Sequence, residues 1–265
     1  MPEGPEVKIT SDFLNNHFQD EVITQVEPIT TYFKTKYSSV IKELKEKLID
    51  KKINSFTVGK KTYISLMPKQ FYQYHLGMTG YWATELTKHS HLKLSSNNKE
   101  LFFCDVRKFG NHRISLDPDL GHIVLYDPLR REYDINLHHE HLNKSIGKRR
   151  NVCNVLLDQN LFPGVGNYLK SEILYKSGIH PDTKWGQISK DIIYRILKNS
   201  KKLCRRSYQN GGAELKDFRN PQKQSSFNLE VYAKKTDPNG NPVISMISKD
   251  NRRTWFVPEI QKLKK

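Results

Sequence analysis

The stretch LLDQNLFPGVGNYLKSEILYKSGIHP, residues 156–181, decides how the rest of the chain is read. Residues 151–162 carry apolar positions at helical spacing, and residues 167–179 do so again. Between them, Pro163-Gly164-Val165-Gly166 breaks the helix and frees backbone N–H groups where the second helix starts at Asn167. Two readings stay open on these residues alone. The glycines serve an ordinary helical hairpin, or the glycine-bearing helix N-terminus and Asn167 form a phosphate site.

Downstream, a third helix spans ISKDIIYRILKNSKKLCRRSY (188–208) and ends at QNGG in the manner of a glycine C-cap. Upstream, Val7, Phe13, Leu14 and Phe18 have helical spacing after Pro5, a favoured first helical residue. Val40, Ile41, Leu44, Leu48 and Ile49 mark another helix, with a start at Ser38-Ser39. Residues 53–126 read as strands: INSFTVG, TYISLM, QFYQYHL, HLKLS, ELFFCDV and HIVLY, parted by turn residues. The last part, from Phe227 on, reads as short β-structure with a tight Asn239-Gly240 turn. The expected fold class is α+β: an N-terminal β-sandwich flanked by helices, a helical domain, and a C-terminal β-hairpin. No repeat or low-complexity linker parts the halves.

Charge is the loudest global signal. In 265 residues, 44 Lys+Arg stand against 28 Asp+Glu, a net charge of +16, which points to a polyanion and first to nucleic acid. No segment has the length and apolarity of a membrane span, and no basic region followed by an apolar run opens the chain. The expectation is therefore a soluble, intracellular protein without a membrane partner. Cys104, Cys153 and Cys204 form no C-x-x-C pair, so they read as small buried hydrophobes, neither disulfide framework nor zinc site.

Several residue groups can carry chemistry. The chain opens MPEGPEV, and Met1 is followed by a small residue, so its removal exposes the secondary amine of Pro2. An α-amino group titrates near 7.7–8.0, against about 10.4 for lysine, so far more of it is uncharged and nucleophilic at neutral pH. Glu3 beside it can shuttle protons and stabilise developing positive charge. Arg107 and Phe109, in CDVRKFGNHR, are expected at a strand–strand turn, and Met78 in HLGMTG at another. Displayed together, an arginine, an aromatic ring and a flexible methionine can fill the hole left by a base that leaves its stack. Lys60 and Arg252 precede strand-like residues and can each hold a phosphate, or stand as solvated charges. The compact HHEH (138–141) lacks H-E-x-x-H spacing and reads as a solvated junction rather than a metal site.

Taken together, PEGPE, HLGMTG, RKFG, LLDQNLFPGVGNYLKSEILYKSGIHP and RRTWF resemble, in the same order, the formamidopyrimidine-DNA glycosylase and endonuclease VIII family. They span nearly the whole chain. The 156–181 stretch is similar to that family's helix–two-turn–helix motif. The resemblance implies a bifunctional glycosylase and abasic-site lyase that flips oxidised bases out of double-stranded DNA, acting as a monomer. It implies domains at 1–135 (catalytic), 136–224 (helix–two-turn–helix) and 225–265 (finger). By position it makes Pro2 the nucleophile, Glu3 its acid/base assistant and Glu6 a support, with Lys60 beside this set as a phosphate grip. It makes Asn167, Arg252, Gly166 and His75 DNA-contacting residues, and Met78, Arg107 and Phe109 the void fillers.

One departure stands out. Many members end in a four-cysteine zinc finger, yet residues 225–265 contain no cysteine, and Val257 and Ile260 stand where the last pair is expected. This resembles the zincless finger of the endonuclease VIII-like 1 branch. The expectation is no zinc and no other cofactor, with apolar packing of Val243, Ile244, Ile247, Trp255 and Phe256 in the metal's place. The short RNPQKQSS stretch (219–226), where 8-oxoguanine-specific members have a longer capping loop, favours oxidised pyrimidines. A non-catalytic damaged-DNA-binding protein, or an RNA-binding one, is the alternative, and Pro2-Glu3 argues against both.

Overall fold

The computed structural model describes residues 1–116, 120, 123–214, 218, 220–221 and 225–263. Two compact units divide the chain. The first takes 1–2, 6–119 and 214–225; the second takes 3–5, 120–213 and 226–265.

The first unit holds most of helix α1 (Gly4–His17), then β1 (Gln25–Pro28), α2 (Thr31–Lys36), α3 (Ser38–Leu48) and seven further strands. These are β2 (Ser55–Val58), β3 (Lys61–Met67), β4 (Gln70–His75), β5 (Gly80–Ala83), β6 (Ser90–Ser95), β7 (Glu100–Asp105) and β8 (Asn111–Leu116). They form two antiparallel sheets of order β1-β6-β7-β5 and β2-β3-β4-β8. Alternation puts Ile64, Leu66, Tyr72 and Tyr74 of one sheet into a core with Trp82, Leu92, Leu94, Leu101 and Phe103 of the other. Val7 and Leu14 of α1 and Val40, Ile41, Leu44 and Leu48 of α3 cover the same core, as their spacing predicts. Each such fully buried side chain is worth about 1.5–3 kcal/mol relative to exposure.

Sheet order fixes a detail of consequence. The connections β4–β5 (76–79) and β7–β8 (106–110) both pass from one sheet to the other, because β4 pairs β8 and β5 pairs β7. They therefore lie side by side at one end of the sandwich. Strands β1, β5 and β8 lie outside the six strand-like runs expected from the sequence, and the last of those runs, HIVLY, is no strand: α4 covers Ile123–Tyr126, and His122 lies outside the described residues. This apolar run is too short for periodicity to tell helix from strand.

The second unit continues with α5 (Ile135–Ser145), α6 (Val152–Leu157), α7 (Asn167–Ser177), a 3₁₀ turn at Trp185–Gln187, and α8 (Lys190–Gln209). It closes with the antiparallel pair β9 (Ile244–Ile247) and β10 (Arg253–Phe256). Helix α7 is buried on every side: Tyr168 to Tyr175 and Ser177 are all shielded from solvent. It is thus the central post of its unit, packed by α8 and β10. Helix α8 ends as read, with Gly211 and Gly212 at φ +78° and +84° after it. All three cysteines are buried thiols. No helix among the described residues is long and apolar enough to cross a membrane.

HHEH does not behave as a solvated junction. His138 and His139 are buried, His138 hydrogen-bonding the Leu161 carbonyl at 2.6 Å and His139 stacking on Tyr194 at 4.2 Å. Burial holds the His138 ring far below its usual range, at about 4, so its charged form is excluded at neutral pH.

Candidate functional site

The 156–181 hairpin is built to receive the chain's own N-terminus. Asn151 caps α6 by accepting from Cys153 N at 2.8 Å, and after Asp158 the chain leaves the helix. Gln159 then braces the glycine loop: its Nε2 donates to Val165 O at 2.9 Å, and its Oε1 accepts from Gly164 N at 3.1 Å. The Gly164 carbonyl accepts from Gly4 N at 2.8 Å. A Cβ on Gly4 would meet the Gly164 Cα at 2.9 Å, so backbone lies directly on backbone. Next in line, the Glu3 carboxylate accepts from Gly166 N (2.7 Å), Tyr168 N (2.8 Å) and Leu169 N (3.2 Å) at the start of α7.

The helix start read as a phosphate cradle is therefore occupied by an internal anion. Three convergent N–H donors and the positive end of α7 suit a carboxylate as well as a phosphate. Gly166 is required for this, because a Cβ there would sit 2.3 Å from the Glu3 Cδ. Glu3 is 3% exposed, and the lock joins the two motifs that sequence reading singled out separately. Pro2 and Glu6 are buried as well, Glu6 fully, in the first turn of α1.

In the first unit, the two sheet-crossing connections carry Met78 on one side and Arg107 and Phe109 on the other. Arg107 Nη1 donates to the Met78 sulfur at 3.3 Å. Asp105, buried at the end of β7, clasps both connections: Oδ1 accepts from Thr79 Oγ1 at 2.6 Å and Oδ2 from Gly110 N at 2.7 Å. Thr79 Oγ1 in turn accepts from Arg107 N at 3.0 Å. Gly77, at φ +62°, leaves room for the Phe109 backbone 2.8 Å from where its Cβ would be. Phe109 is 61% exposed, an aromatic ring held in solvent by a buried carboxylate one strand-end away. So the three expected void fillers do come together, and Asp105, which sequence reading passed over, is what brings them together.

His75 ends β4 beside them. Its Nδ1 accepts from Gly77 N at 2.9 Å, which assigns the neutral ring's proton to Nε2. Burial, and then the charges of Lys60 and Lys61, hold His75 below its usual range. Lys60 follows Gly59 (φ +59°) in the β2–β3 turn and is half-buried.

In the second unit, Asn167 and the hairpin meet: Asn167 Nδ2 donates to Arg253 O at 3.0 Å, while its buried Oδ1 has no hydrogen-bond partner among the described residues. Arg252 is exposed in the turn between β9 and β10, where Asn251 takes φ +59° and Asp250 Oδ1 accepts from Arg252 N at 3.2 Å. The apolar packing expected to replace a metal is only half present. Phe256 and Val257 are buried, Val257 with Tyr175, Val231 and Val243, and Trp255 packs on Tyr232 at 4.3 Å between ring centres. Ile244 and Ile247, however, are 47% and 63% exposed.

Polar bonds from α7 do the rest. Lys170 Nζ donates to Asp250 Oδ2 at 2.5 Å, and both side chains are sealed from solvent. Asp250 Oδ1 also accepts from Ser248 Oγ at 2.5 Å, and Ser248 meets Thr254 Oγ1 at 2.6 Å. Burial opposes the Asp250 charge, but the Lys170 and Ser248 bonds outweigh it and lower its pKa. Glu172 accepts from Glu230 N, Val231 N and Tyr232 N at 2.9–3.1 Å, although burial still raises its pKa. Tyr175 Oη donates to Asp237 Oδ2 at 3.0 Å, and Asp237 organises the Asn239-Gly240 turn through Asn239 N and Asn241 N. Residues 225–265 hold neither cysteine nor histidine, and no cluster of three or more metal-ligating side chains occurs among the described residues. This donor set does not fit a structural zinc site.

Comparison with known proteins bears on all three regions. The formamidopyrimidine-DNA glycosylase N-terminal domain matches residues 1–112, that family's H2TH domain residues 125–219, and its C-terminal domain residues 221–262. The formamidopyrimidine-DNA glycosylase of Mycoplasmopsis pulmonis is 30% identical over 283 residues, covering 100% of this chain and 99% of its own. That of Bacillus anthracis is 30% identical over 250 residues, 90% of each chain. Among solved structures, MutM in complex with DNA containing carbocyclic 8-oxo-G has a TM-score of 0.81 at 25% identity, covering 99% of this chain and 100% of that one. Lactococcus lactis Fpg with abasic-site DNA has a TM-score of 0.82 at 25% identity, covering 98% and 100%.

Proposed function

The chain belongs to the formamidopyrimidine-DNA glycosylase family, and from that premise we propose a bifunctional DNA glycosylase and abasic-site lyase for oxidised bases in duplex DNA. The observation that carries this reading is the lock of Glu3 onto the start of α7, which pins the residue next to Pro2 to the hairpin's glycine loop. In the structure Pro2 follows Met1 and its nitrogen is an amide, so removal of Met1 is the first requirement. The freed secondary amine attacks C1′, the C1′–base bond breaks and the base leaves with a proton; the C1′–O4′ bond then opens, O4′ takes up the proton lost by the amine, and the iminium forms. Glu3 offsets the iminium charge and moves protons, with Glu6 supporting the site. Loss of the 2′ proton then expels the 3′ phosphate, a second elimination expels the 5′ phosphate, and water hydrolyses the iminium to restore Pro2.

Phosphates flanking the lesion fall to Lys60, Asn167 and Arg252, with Gly166 and His75 among the DNA contacts; Met78, Arg107 and Phe109 fill the vacated stack. We assign 1–135 as catalytic domain, 136–224 as helix–two-turn–helix domain and 225–265 as a zincless finger. Oxidised pyrimidines are the proposed preference, resting on the short 219–226 stretch, half of which lies outside the described residues. Borohydride trapping decides the chemistry: protein lacking Met1, incubated with abasic-site or thymine glycol duplex, should give a covalent adduct that mass spectrometry places on Pro2. No adduct, or one elsewhere, overturns the reading. A cleavage panel with ring-opened purine and 8-oxoguanine duplexes beside thymine glycol tests the preference.

A further inference from the structure

Helix α8 carries a charge pattern that the site above does not use. Its twenty residues include seven cations and one carboxylate, Asp191. Two of the cations serve the fold: Lys201 lies 5.3 Å from the Tyr133 ring centre, and Arg205 Nε donates to Pro128 O at 3.0 Å. Lys190 opens the helix near His139, and the remaining four are Arg195, Lys198, Lys202 and Arg206. All four are exposed, and none has an ion-pair partner among the described residues. Their spacing of three, four and four residues places them on one face, a stripe about 16 Å long.

An ordinary solvated helix face is the competing account, and the chain's other helices show what that looks like. On α3, Lys42 faces Glu46 and Lys47 pairs with Glu43; on α5, Lys144 faces Glu140, each four residues apart. There, three lysines are each balanced by a glutamate of their own helix. On α8 the balance is absent over three turns. Uncompensated like charges at i, i+4 cost a helix a few tenths of a kcal/mol per pair, so the stripe is retained against local stability.

The stripe is also separate from the start of α7. Helix α8 packs on α7 through Asn199, whose Nδ2 donates to Ser177 Oγ at 3.0 Å, and through Ser207, 3.1 Å from Tyr168 Oη. Helical geometry puts Arg195, Lys198, Lys202 and Arg206 on the exposed face of α8, opposite its buried positions Ile193, Leu197, Ser200 and Cys204. No ring is offered on the stripe for stacking, since the neighbouring Tyr194 is spent on His139. A row of long cations with no aromatic reader suits a phosphate backbone and no particular base sequence.

We propose that the outer face of α8 is a second, sequence-independent duplex-binding surface, holding a stretch of DNA backbone other than the one that contains the lesion. The identity of the polyanion rests on the functional reading above; the existence of the surface does not. Its consequence is retention on DNA: a protein with two backbone contacts can leave one lesion site without leaving the polymer.

The test uses the full chain. Protein trapped covalently on an abasic-site duplex is titrated with a second, labelled, undamaged 25-base-pair duplex, read by fluorescence anisotropy across a salt series. Binding should persist in the loaded protein. In the Arg195→Gln, Lys198→Gln, Lys202→Gln, Arg206→Gln variant it should fall at least about tenfold near 100 mM salt, the slope of log K against log salt shrinking by about 2–4. The Arg195→Lys, Arg206→Lys variant should keep the wild-type slope, and melting temperature checks that both variants fold. Loaded protein that ignores the second duplex overturns the proposal, as does an unchanged slope in the four-fold variant. Tighter binding to vesicles rich in anionic lipid than to duplex overturns the choice of partner. Should no covalent complex form, the functional reading fails, while the undamaged-duplex titration of free protein still decides the stripe by its slope.

Discussion

The β-sandwich and the C-terminal hairpin solve one problem, holding short strands in place, with opposite chemistry. In the sandwich, inward positions of both sheets meet as Trp82, Tyr72, Tyr74, Leu92, Leu94 and Phe103, nearly all sealed from water. Even its polar members are absorbed: Trp82 Nε1 donates to Tyr74 Oη at 3.0 Å, and His112 Nδ1 lies 2.6 Å from Tyr72 Oη. In the hairpin, two of the five apolar side chains expected to form a core face solvent, and Lys170, Glu172 and Tyr175 of α7 anchor the segment by hydrogen bonds. Apolar packing tolerates approximate shapes, whereas a buried ion pair demands close geometry and is unforgiving of a missing partner.

The largest expected effect follows from that asymmetry. Lys170→Met leaves the Asp250 carboxylate buried without its counter-charge and should cost about 3–5 kcal/mol in urea unfolding. The double variant Lys170→Met, Asp250→Leu should recover most of that loss, because two apolar side chains need no partner. If the double variant is as unstable as the single, the pair is not what holds the hairpin. In the sandwich, Leu94→Ala should cost about 2–5 kcal/mol through lost burial and a residual cavity, and no second substitution of a charged residue will rescue it.

This contrast also explains what was legible in the sequence. Helices α1 and α3 and most sandwich strands were readable because apolar periodicity alone determines which side faces the core. The Gly-rich loop was readable as a helix start, but not its occupant, since Glu3 lies more than 160 residues away in sequence. Asp105, Lys170 and Glu172 escaped because a charged letter normally marks a solvated position. A signal did exist for the last two: charges inside a helix whose neighbours Leu169, Ile173, Leu174 and Tyr175 leave no exposed face. For Asp105 the hint was its place two residues before Arg107, where a connection had to be stiff.

Inside the sandwich unit, the Asp105 clasp adds polar bonds on top of an apolar core. Asp105→Asn keeps the shape, removes the charge, and turns one acceptor oxygen into a donor facing Thr79 or Gly110. Loss of charge-assisted bonds of this kind costs about 1.5–3 kcal/mol. On the functional reading, excision from a fully paired duplex should fall more than strand cleavage at a preformed abasic site, since only the former requires base extrusion. Equal losses on both substrates would reduce Asp105 to a structural role.

Acid should separate the two regions by pH. Burial pushes His112 down to about 3 from its usual 6.5. The unfolded chain takes up that proton first, so stability is lost as pH falls from 6.5 toward 3. In the hairpin, Asp250 has a lowered pKa, so its contribution persists until pH drops below its ordinary 3.8. Glu172 has a raised pKa, so it adds stability as pH falls toward 4.5. Hydrogen exchange at pH 5 should therefore show the sandwich amides opening more than at pH 7, and the amides of 230–232 and 248–254 no less protected. His112→Phe should flatten the sandwich's acid limb.

The smallest effect is the most pointed. Ile247 sits in β9 with 63% of its surface exposed, paired across the strand with Arg253, so Ile247→Thr keeps β-branching and strand propensity while removing apolar area. If polar bonds to α7 hold the hairpin, the change should stay within about 0.5 kcal/mol, as surface substitutions usually do. A cost above about 1 kcal/mol would mean that Ile247 is buried in the working protein, and the apolar finger expected from the sequence would be restored. The same titration on Val257→Thr, a fully buried neighbour in the small cluster with Tyr175 and Val231, should cost several times more, because its hydroxyl enters a site without a partner.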